Sequence, residues 1–418
     1  MDNPDSQLYS RIKNTFRSLE MYNFRIWSAG ALVSNVGTWM QRIAQNWLVL
    51  SELTNHSGTA VGVVMALQFG PPIVLMSLAG RVADHVDRRR LLIVTQSALA
   101  LTALGLGVLV LSGHVTLWQV YCFAGIMGCI TAFDSPARQT FIAELVGDED
   151  LPNAIALNSS LFNLAQLIGP AIGGVLISII GAGWVFIFNS ASFIAVIASL
   201  MKMRVSEFHP MARERNPNGG FLAGLAYIRQ KPELIMALVM LFIVGTYGLN
   251  FPVFISTMSI TTFHGGAHLY GLLSSMMAIG SIVGALHVAG RATPNLSFLI
   301  LSALGFGLVG SFAALMPEAA LFGFALVALG ATTQMFTTTA NSLVQLSTDP
   351  SMRGRVMAIY MGIFLGCTPL GAPLVGWIAD TYGPRWSLGF GAAAGFIAAG
   401  IGGIYMIRAR KTRERLLK

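Results

Sequence analysis

The chain has 418 residues, 54% of them hydrophobic and only 11% charged, with a formal net charge of +8 at pH 7. About a quarter of a soluble domain is charged, and a globule of this size has too little interior to hide so much apolar surface. A water-soluble globular protein is thereby excluded.

The apolar residues arrive in blocks of about 20, the length of a helix that crosses hydrocarbon. Lipid offers no partners to free backbone groups, so such blocks are helices. The short alternating segments of a transmembrane barrel do not occur.

In chain order, residues 1–22 carry Arg11, Lys13 and Arg17 but no apolar stretch and no small-residue cleavage site. They read as a basic segment on the membrane surface rather than a signal peptide. Six spans are predicted near 24–50, 59–79, 91–112, 116–135, 153–178 and 184–203, forming an N-terminal bundle over 23–203. The only long polar stretch, 204–231, is the predicted linker. Six further spans near 233–258, 268–289, 297–315, 319–340, 355–379 and 386–407 make a C-terminal bundle over 232–407, followed by a basic tail at 408–418. The 45 glycines fall largely inside the spans, as at Gly105, Gly107, Gly125 and Gly128. Small residues there let helix backbones approach closely.

With the N-terminus in the cytoplasm, 24 of the 26 Lys and Arg residues fall on the cytoplasmic side. The two others are Arg42, inside span 1, and Arg385, between spans 11 and 12. The positive-inside rule therefore predicts two cytoplasmic termini and an even number of spans; the expected location is a bacterial inner membrane. The net positive charge follows from this bias, not from a nucleic-acid partner. The halves echo each other: Ala79-Gly80-Arg81 recurs as Ala289-Gly290-Arg291, and Gly169-Pro170-Ala171-Ile172-Gly173 recurs loosely as Ala372-Pro373-Leu374-Val375-Gly376. A six-span offset preserves orientation, as in a two-bundle transporter built from parallel repeats.

After span 2 the chain reads Gly80-Arg81-Val82-Ala83-Asp84-His85-Val86-Asp87-Arg88-Arg89-Arg90. This resembles the signature loop of the major facilitator superfamily, with Asp87 in place of the second glycine. Span 5 carries Gly169-Pro170-Ala171-Ile172-Gly173-Gly174, similar to the motif of its antiporter branches, although Ala165 replaces an upstream glycine. Phe133-Asp134-Ser135-Pro136-Ala137-Arg138-Gln139, with Leu151-Pro152-Asn153-Ala154 and Asn158, resembles the exporter subgroup that includes enterobactin exporters and macrolide efflux proteins. The resemblance implies an all-α membrane protein of twelve transmembrane helices in two six-helix bundles, the major facilitator fold. It further implies a conformational latch at Gly80, Asp84 and Arg88, with Asp84 facing the start of span 11 near Gly354-Arg355. Arg88 is then expected to pair with an acid at the end of span 4, where Asp134 is the available candidate. Arg89 and Arg90 read as charges that merely obey the positive-inside rule.

Span 1 is the least apolar helix. Ser34, Asn35, Thr38, Gln41, Arg42, Gln45 and Asn46 fall on one face at about 100° per residue. A charge at that depth costs a few kcal/mol, so Arg42 is expected at a wet cavity or partner, with snorkelling as the alternative. The expected substrate-binding set is Asn35, Thr38, Gln41, Arg42 and Gln45 with Asn250 of span 7 and Gln334 of span 10. Many Ser and Thr residues of spans 5, 7 and 10 are expected to bond their own helix backbone.

No phosphate-binding Gly-x-x-x-x-Gly-Lys-Ser/Thr loop occurs, so coupling to an ion gradient, above all protons, is expected. Asp134 and Glu52 are the candidate carriers, with Asp380 and His287 also near span ends. Cys122, Cys129 and Cys367 sit inside spans without a metal-ligand set. The seven scattered His residues form no catalytic constellation. The expected protein is thus no enzyme and needs no cofactor or metal. It is a monomeric secondary transporter in the lipid bilayer that exports a hydrophobic or amphipathic small molecule. The alternatives are ion-coupled nutrient uptake and a non-transporting membrane sensor.

Overall fold

The structure is a computed structural model that describes residues 16–209, 221–289 and 295–416. The expectations for residues 1–15, for the middle of the linker and for Arg291 lie outside the described residues. Among the described residues there are helices and no strands. Eleven helices are long and apolar enough to cross a membrane: Gly58–Met76, Arg88–Leu111, Leu117–Gly147, Glu149–Ile180, Ala182–Lys202, Pro232–Thr262, Ala267–Ala289, Leu296–Ala314, Ala319–Leu346, Arg353–Tyr382 and Pro384–Arg408. These are spans 2–12 of the sequence reading. The expected span 1 is the helix Tyr22–Trp47, extended by a π-helical turn over Leu48–Leu53. At 1.5 Å per residue its 26 residues are long enough to cross, but their polar stripe keeps them out of the apolar set.

The largest departure from the predicted edges is span 4. Ser135-Pro136 reads as its end, yet the helix runs on to Gly147. A proline removes a single helical donor, and the continuation is held by packing. Ala137, Phe141, Ile142, Leu145 and Val146 join Phe24, Trp27, Leu200 and Met203 in one buried cluster. Phe141 meets Trp27 edge-on at 5.4 Å and Phe208 edge-on at 5.7 Å. Each such ring pair contributes about 0.5–1.5 kcal/mol beyond burial. Gly147, at φ +70°, then turns the chain into span 5, and a Cβ there would lie 3.0 Å from the His209 ring. The expected linker is also partly folded: Phe221–Gln230 is a helix.

The described residues within 1–45 and 74–215 form one compact unit, and those within 46–73 and 216–418 form a second. In the first, spans 1 and 6 meet through small residues. A Cβ on Gly30 would come within 2.9 Å of Ser199 Oγ, and one on Gly37 within 2.5 Å of Ser192 Oγ. Span 5 presses its Gly169 and Gly173 on span 1, where added Cβ atoms would approach Trp39 Cβ to 2.5 Å and Met40 Cα to 3.0 Å. In the second unit, Gly371 of span 11 lies so close to span 7 that a Cβ would sit 1.5 Å from the Thr246 carbonyl oxygen. The two recurrent Gly/Pro stretches of the sequence are therefore both helix-crossing surfaces.

In each half of the sequence the approach to the first span is tied to the junction of the fourth and fifth spans. In the first, Arg17 pairs with Asp150, and Ser18 Oγ donates to Asn153 at 2.7 Å. In the second, Lys231 donates to Asp349 at 3.1 Å, and the Asp349 amide donates to the Tyr227 hydroxyl at 2.9 Å. Hydrogen bonding to Tyr227, then to Asp349, raises the Lys231 ammonium above its ordinary value. Lys231, then Tyr227, lowers the Asp349 carboxyl. The stabilisation from Asp349 is present above the ordinary carboxylate range and lost as pH falls through its lowered value; that from Lys231 is lost as pH rises through its raised value. Both groups are solvent-exposed, so salt screens the pair.

Two predictions follow from this packing and can be checked on purified protein by thermal unfolding. Gly371→Ala lowers stability by about 1–3 kcal/mol through overpacking, whereas Gly362→Ala, on the same helix with open space at its Cβ, is neutral or slightly stabilising. Asp349→Asn lowers the unfolding midpoint at neutral pH and low salt, and the difference vanishes in acid and in molar salt.

Candidate functional site

The polar stripe of span 1 divides into two kinds of residue. Gln41 and Gln45 are only 2% and 1% exposed. Gln41 Oε1 accepts from Asn189 of span 6 at 2.5 Å, and its Nε2 donates to Met127 Sδ of span 4 at 3.1 Å. Ser192 Oγ extends this network to Asn189 at 2.9 Å. Gln41 thus ties three helices together inside the first unit, a cross-helix role that the stripe alone does not reveal. Asn35, Thr38 and Arg42 remain partly exposed. Thr38 Oγ donates to its own helix at the Ser34 carbonyl, 2.9 Å away. The Arg42 guanidinium lies 4.6 Å from the centre of the Trp39 ring, which in turn meets Phe162 of span 5 edge-on at 5.9 Å. A cation over an indole face is stabilised by the ring quadrupole, the more so where water is scarce.

The second unit holds the other two expected substrate residues. Asn250 is fully buried and sits at a break in span 7, between Pro232–Gly248 and Phe251–Thr257. Its Nδ2 donates to the Thr246 carbonyl at 2.7 Å, and Pro252 follows directly. Gln334 is partly exposed, and its Nε2 donates to Thr338 at 2.9 Å. Thr332, Thr333 and Thr337 bond backbone carbonyls of their own helix, so only part of the polar content of span 10 is turned outward from it.

At the signature loop the structure reassigns partners. Arg88 pairs with Glu144, not with Asp134. Glu144 lies on the part of span 4 beyond Pro136, outside the predicted span; the extension brings it to the start of span 3. Asp134 is 6% exposed and held by other donors. Thr95 Oγ and Gln96 Nε2 each donate to its Oδ1 at 2.7 Å, and Arg138 Nε donates to its Oδ2 at 3.3 Å. The bonds from Thr95 and Gln96 are charge-assisted and anchor spans 3 and 4 to each other, whereas the Arg138 bond lies within span 4. Gly80 has open space around its Cβ position, and the Asp84 side chain lies outside the described residues.

Two roles were missed by sequence reasoning. Asp87, the departure from the family pattern, is the N-cap of span 3 and accepts from the Arg90 amide at 2.7 Å. An Asp before a helix start is a legible signal of this. Arg89 donates to the Leu200 carbonyl at 2.7 Å and the Met201 carbonyl at 3.3 Å. It therefore satisfies the end of span 6 and complements the negative pole of its dipole. No sequence signal links those two distant positions. Glu52, the other candidate carrier, is exposed on the π-helical turn that ends span 1.

Comparison with known proteins places these features in context. Residues 13–416 match the model of a family described as transmembrane secretion effectors. The staphyloferrin A transporter of Staphylococcus aureus is 25% identical over 83% of this chain and 87% of its own. The multidrug efflux pump Tap of Mycolicibacterium fortuitum is 25% identical over 84% and 88%, and the enterobactin exporter EntS of Citrobacter koseri 25% over 78% of each. Among solved structures, a bacterial homologue of the human lysosomal transporter Spinster superposes with a TM-score of 0.71 at 15% identity, covering 91% of this chain and 96% of that one. A D-xylose–proton symporter does so at 0.70 and 13%, over 91% and 96%. These last two establish the fold alone.

A double-mutant cycle on thermal stability tests the reassigned pairing. Arg88→Ala and Glu144→Ala are expected to couple by about 1 kcal/mol or more, as contacting charges do. Arg88→Ala and Asp134→Asn are expected to add without coupling.

Proposed function

The chain belongs to the transmembrane secretion effectors of the major facilitator superfamily, and from that premise we propose that it exports a hydrophobic or amphipathic small molecule, a drug or a siderophore, by proton-coupled alternating access. It is a multi-pass membrane protein with the fold of transporters rather than of enzymes. The observation that carries the proposal is the Arg42–Trp39–Phe162 cluster of spans 1 and 5. A guanidinium beside aromatic faces recognises a molecule that is largely apolar yet carries acceptors or negative charge. Three relatives whose names denote siderophore or drug transport support the same substrate class.

In this reading Asn35, Thr38 and Arg42 contact the substrate, and Gln41 and Gln45 hold the helix that presents them. Asn250 and Gln334 contribute from the second half of the sequence. Gly80, Asp84 and Arg88 act as a cytoplasmic latch, with Glu144 as the anchor of Arg88. The protein lies in the bacterial inner membrane as a monomer with both termini in the cytoplasm, an orientation that its Lys and Arg distribution supports. Of the two candidate carriers, Asp134 is buried and held by three donors on spans 3 and 4, so the exposed Glu52 is the better placed.

The test is accumulation of a compound panel in cells lacking or overproducing the protein, with and without a protonophore. Overproduction lowers accumulation of at least one amphipathic compound, and the protonophore restores it. Arg42→Ala abolishes this export at unchanged membrane level; export at the parental rate would remove Arg42 from the substrate path. Glu52→Gln diminishes the protonophore-sensitive component, whereas Asp134→Asn acts mainly on stability.

A further inference from the structure

Spans 1 and 2 belong to the first half of the sequence, yet the end of span 1, the turn after it and most of span 2, Asn46–Ile73, are packed into the second compact unit. Three contacts fasten this stretch there. Asn46 Nδ2 donates to the buried Tyr270 hydroxyl of span 8 at 2.8 Å. The span 2 backbone runs against span 11 so closely that a Cβ on Gly62 would lie 2.3 Å from the Ala372 carbonyl oxygen, and one on Gly376 2.2 Å from that of Gly58. The third contact is a carboxylate. Asp380, near the end of span 11, accepts from the Gly58 amide at 2.5 Å, the Thr59 amide at 3.0 Å, Ser57 Oγ at 2.9 Å and Thr59 Oγ at 2.6 Å. It caps the first turn of span 2 from another helix, where free N–H groups and the positive pole of the helix favour an anion.

The internal repeat shows that this carboxylate is not a general feature of such helix ends. Spans 5 and 11 both close with a glycine at positive φ, Gly181 at +83° and Gly383 at +98°, each bonding back four residues. Three residues before each glycine stand Ser178 and Asp380 respectively. Ser178 merely bonds the Gly174 carbonyl of its own helix at 2.9 Å. The carboxylate is present in one half only. Span 2 leaves the second unit between Ile73 and Val74, directly after Pro71-Pro72. Two adjacent prolines remove two helical donors, the commonest cause of a bend in a helix.

We propose that Asp380 is a positioning residue for the transport cycle: it clamps the start of span 2 to span 11, at the opposite end of span 2 from the Gly80–Arg88 loop. The clamp must release for the two sequence halves to separate at that end, with Pro71-Pro72 as the place where span 2 bends. The proposal rests on the alternating-access reading and adds the residue that holds one of its two gates. Loss of the clamp shifts the resting population toward the state open at the Gly58 end.

The test needs no substrate. Val61, fully buried beside the clamp, is changed to Cys with Cys122, Cys129 and Cys367 replaced by Ala. The purified protein in lipid nanodiscs is then labelled with a water-soluble maleimide. Asp380→Ala is expected to raise the labelling rate about ten-fold, a shift that a population change of this kind produces. Ser57→Ala with Thr59→Ala, which removes two of the four donors and leaves the backbone capped, raises it by a smaller factor. Unchanged or slower labelling in both variants overturns the clamp. If Asp380→Ala does not fold, the double variant decides by itself. Faster labelling in a protein that exports no compound of the panel would keep the clamp and remove only the export reading.

Discussion

Helices in lipid gain nothing by hiding apolar side chains from one another, because the surrounding chains are equally apolar. Close approach of backbones is what remains, and this structure depends on it. In span 8, Gly280 and Gly284 meet span 10 so tightly that added Cβ atoms would lie 1.8 Å and 2.3 Å from the carbonyl oxygens of Val327 and Ala331. Gly330 repays the contact, with the Met277 carbonyl oxygen 2.2 Å from its Cβ position. Gly371 against Thr246 and Gly62 against Ala372 are the same device. The abundance of glycine, which in water would suggest a loose chain, is here the source of tight packing.

Polar side chains add direction to that packing. Gln41, Asn189 and Ser192 join spans 1 and 6, and Asp134 gathers Thr95, Gln96 and Arg138. A polar atom in hydrocarbon must find a partner, so each group fixes the rotation of its helix about its axis. Residues that a motif reading assigns to transport can therefore be spent on registry. Arg42 differs, because its flat cation rests on an aromatic ring while the residue keeps partial exposure.

Interruptions of the helices fall where bending is useful. Span 7 breaks at Leu249-Asn250, spans 1 and 7 end in π-helical turns, and span 2 carries tandem prolines. The π-helical turns are followed by His56 and His264, both at positive φ. This shared ending strengthens the internal repeat beyond the two short stretches visible in the residues. Rigid crossings and a few weak joints are what the proposed alternating access requires.

The helix positions were largely legible in the sequence, because hydrocarbon thickness and the need to satisfy every backbone group leave a long apolar run one structure. The polar face of span 1 and the family loop were legible for the same reason: a polar residue stands out where the solvent is oil. Periodicity could not distinguish Gln41, buried against Asn189, from Arg42 one residue on. Nor could it choose Glu144 over Asp134 for Arg88, since that depended on a helix continuing through Pro136 on the strength of Phe141 packing. The docking of Asp380 on Gly58, 322 residues earlier, was likewise decided by the fold alone. Composition and local pattern set which segments are helical, while partners far apart in the chain are set by which helix faces meet.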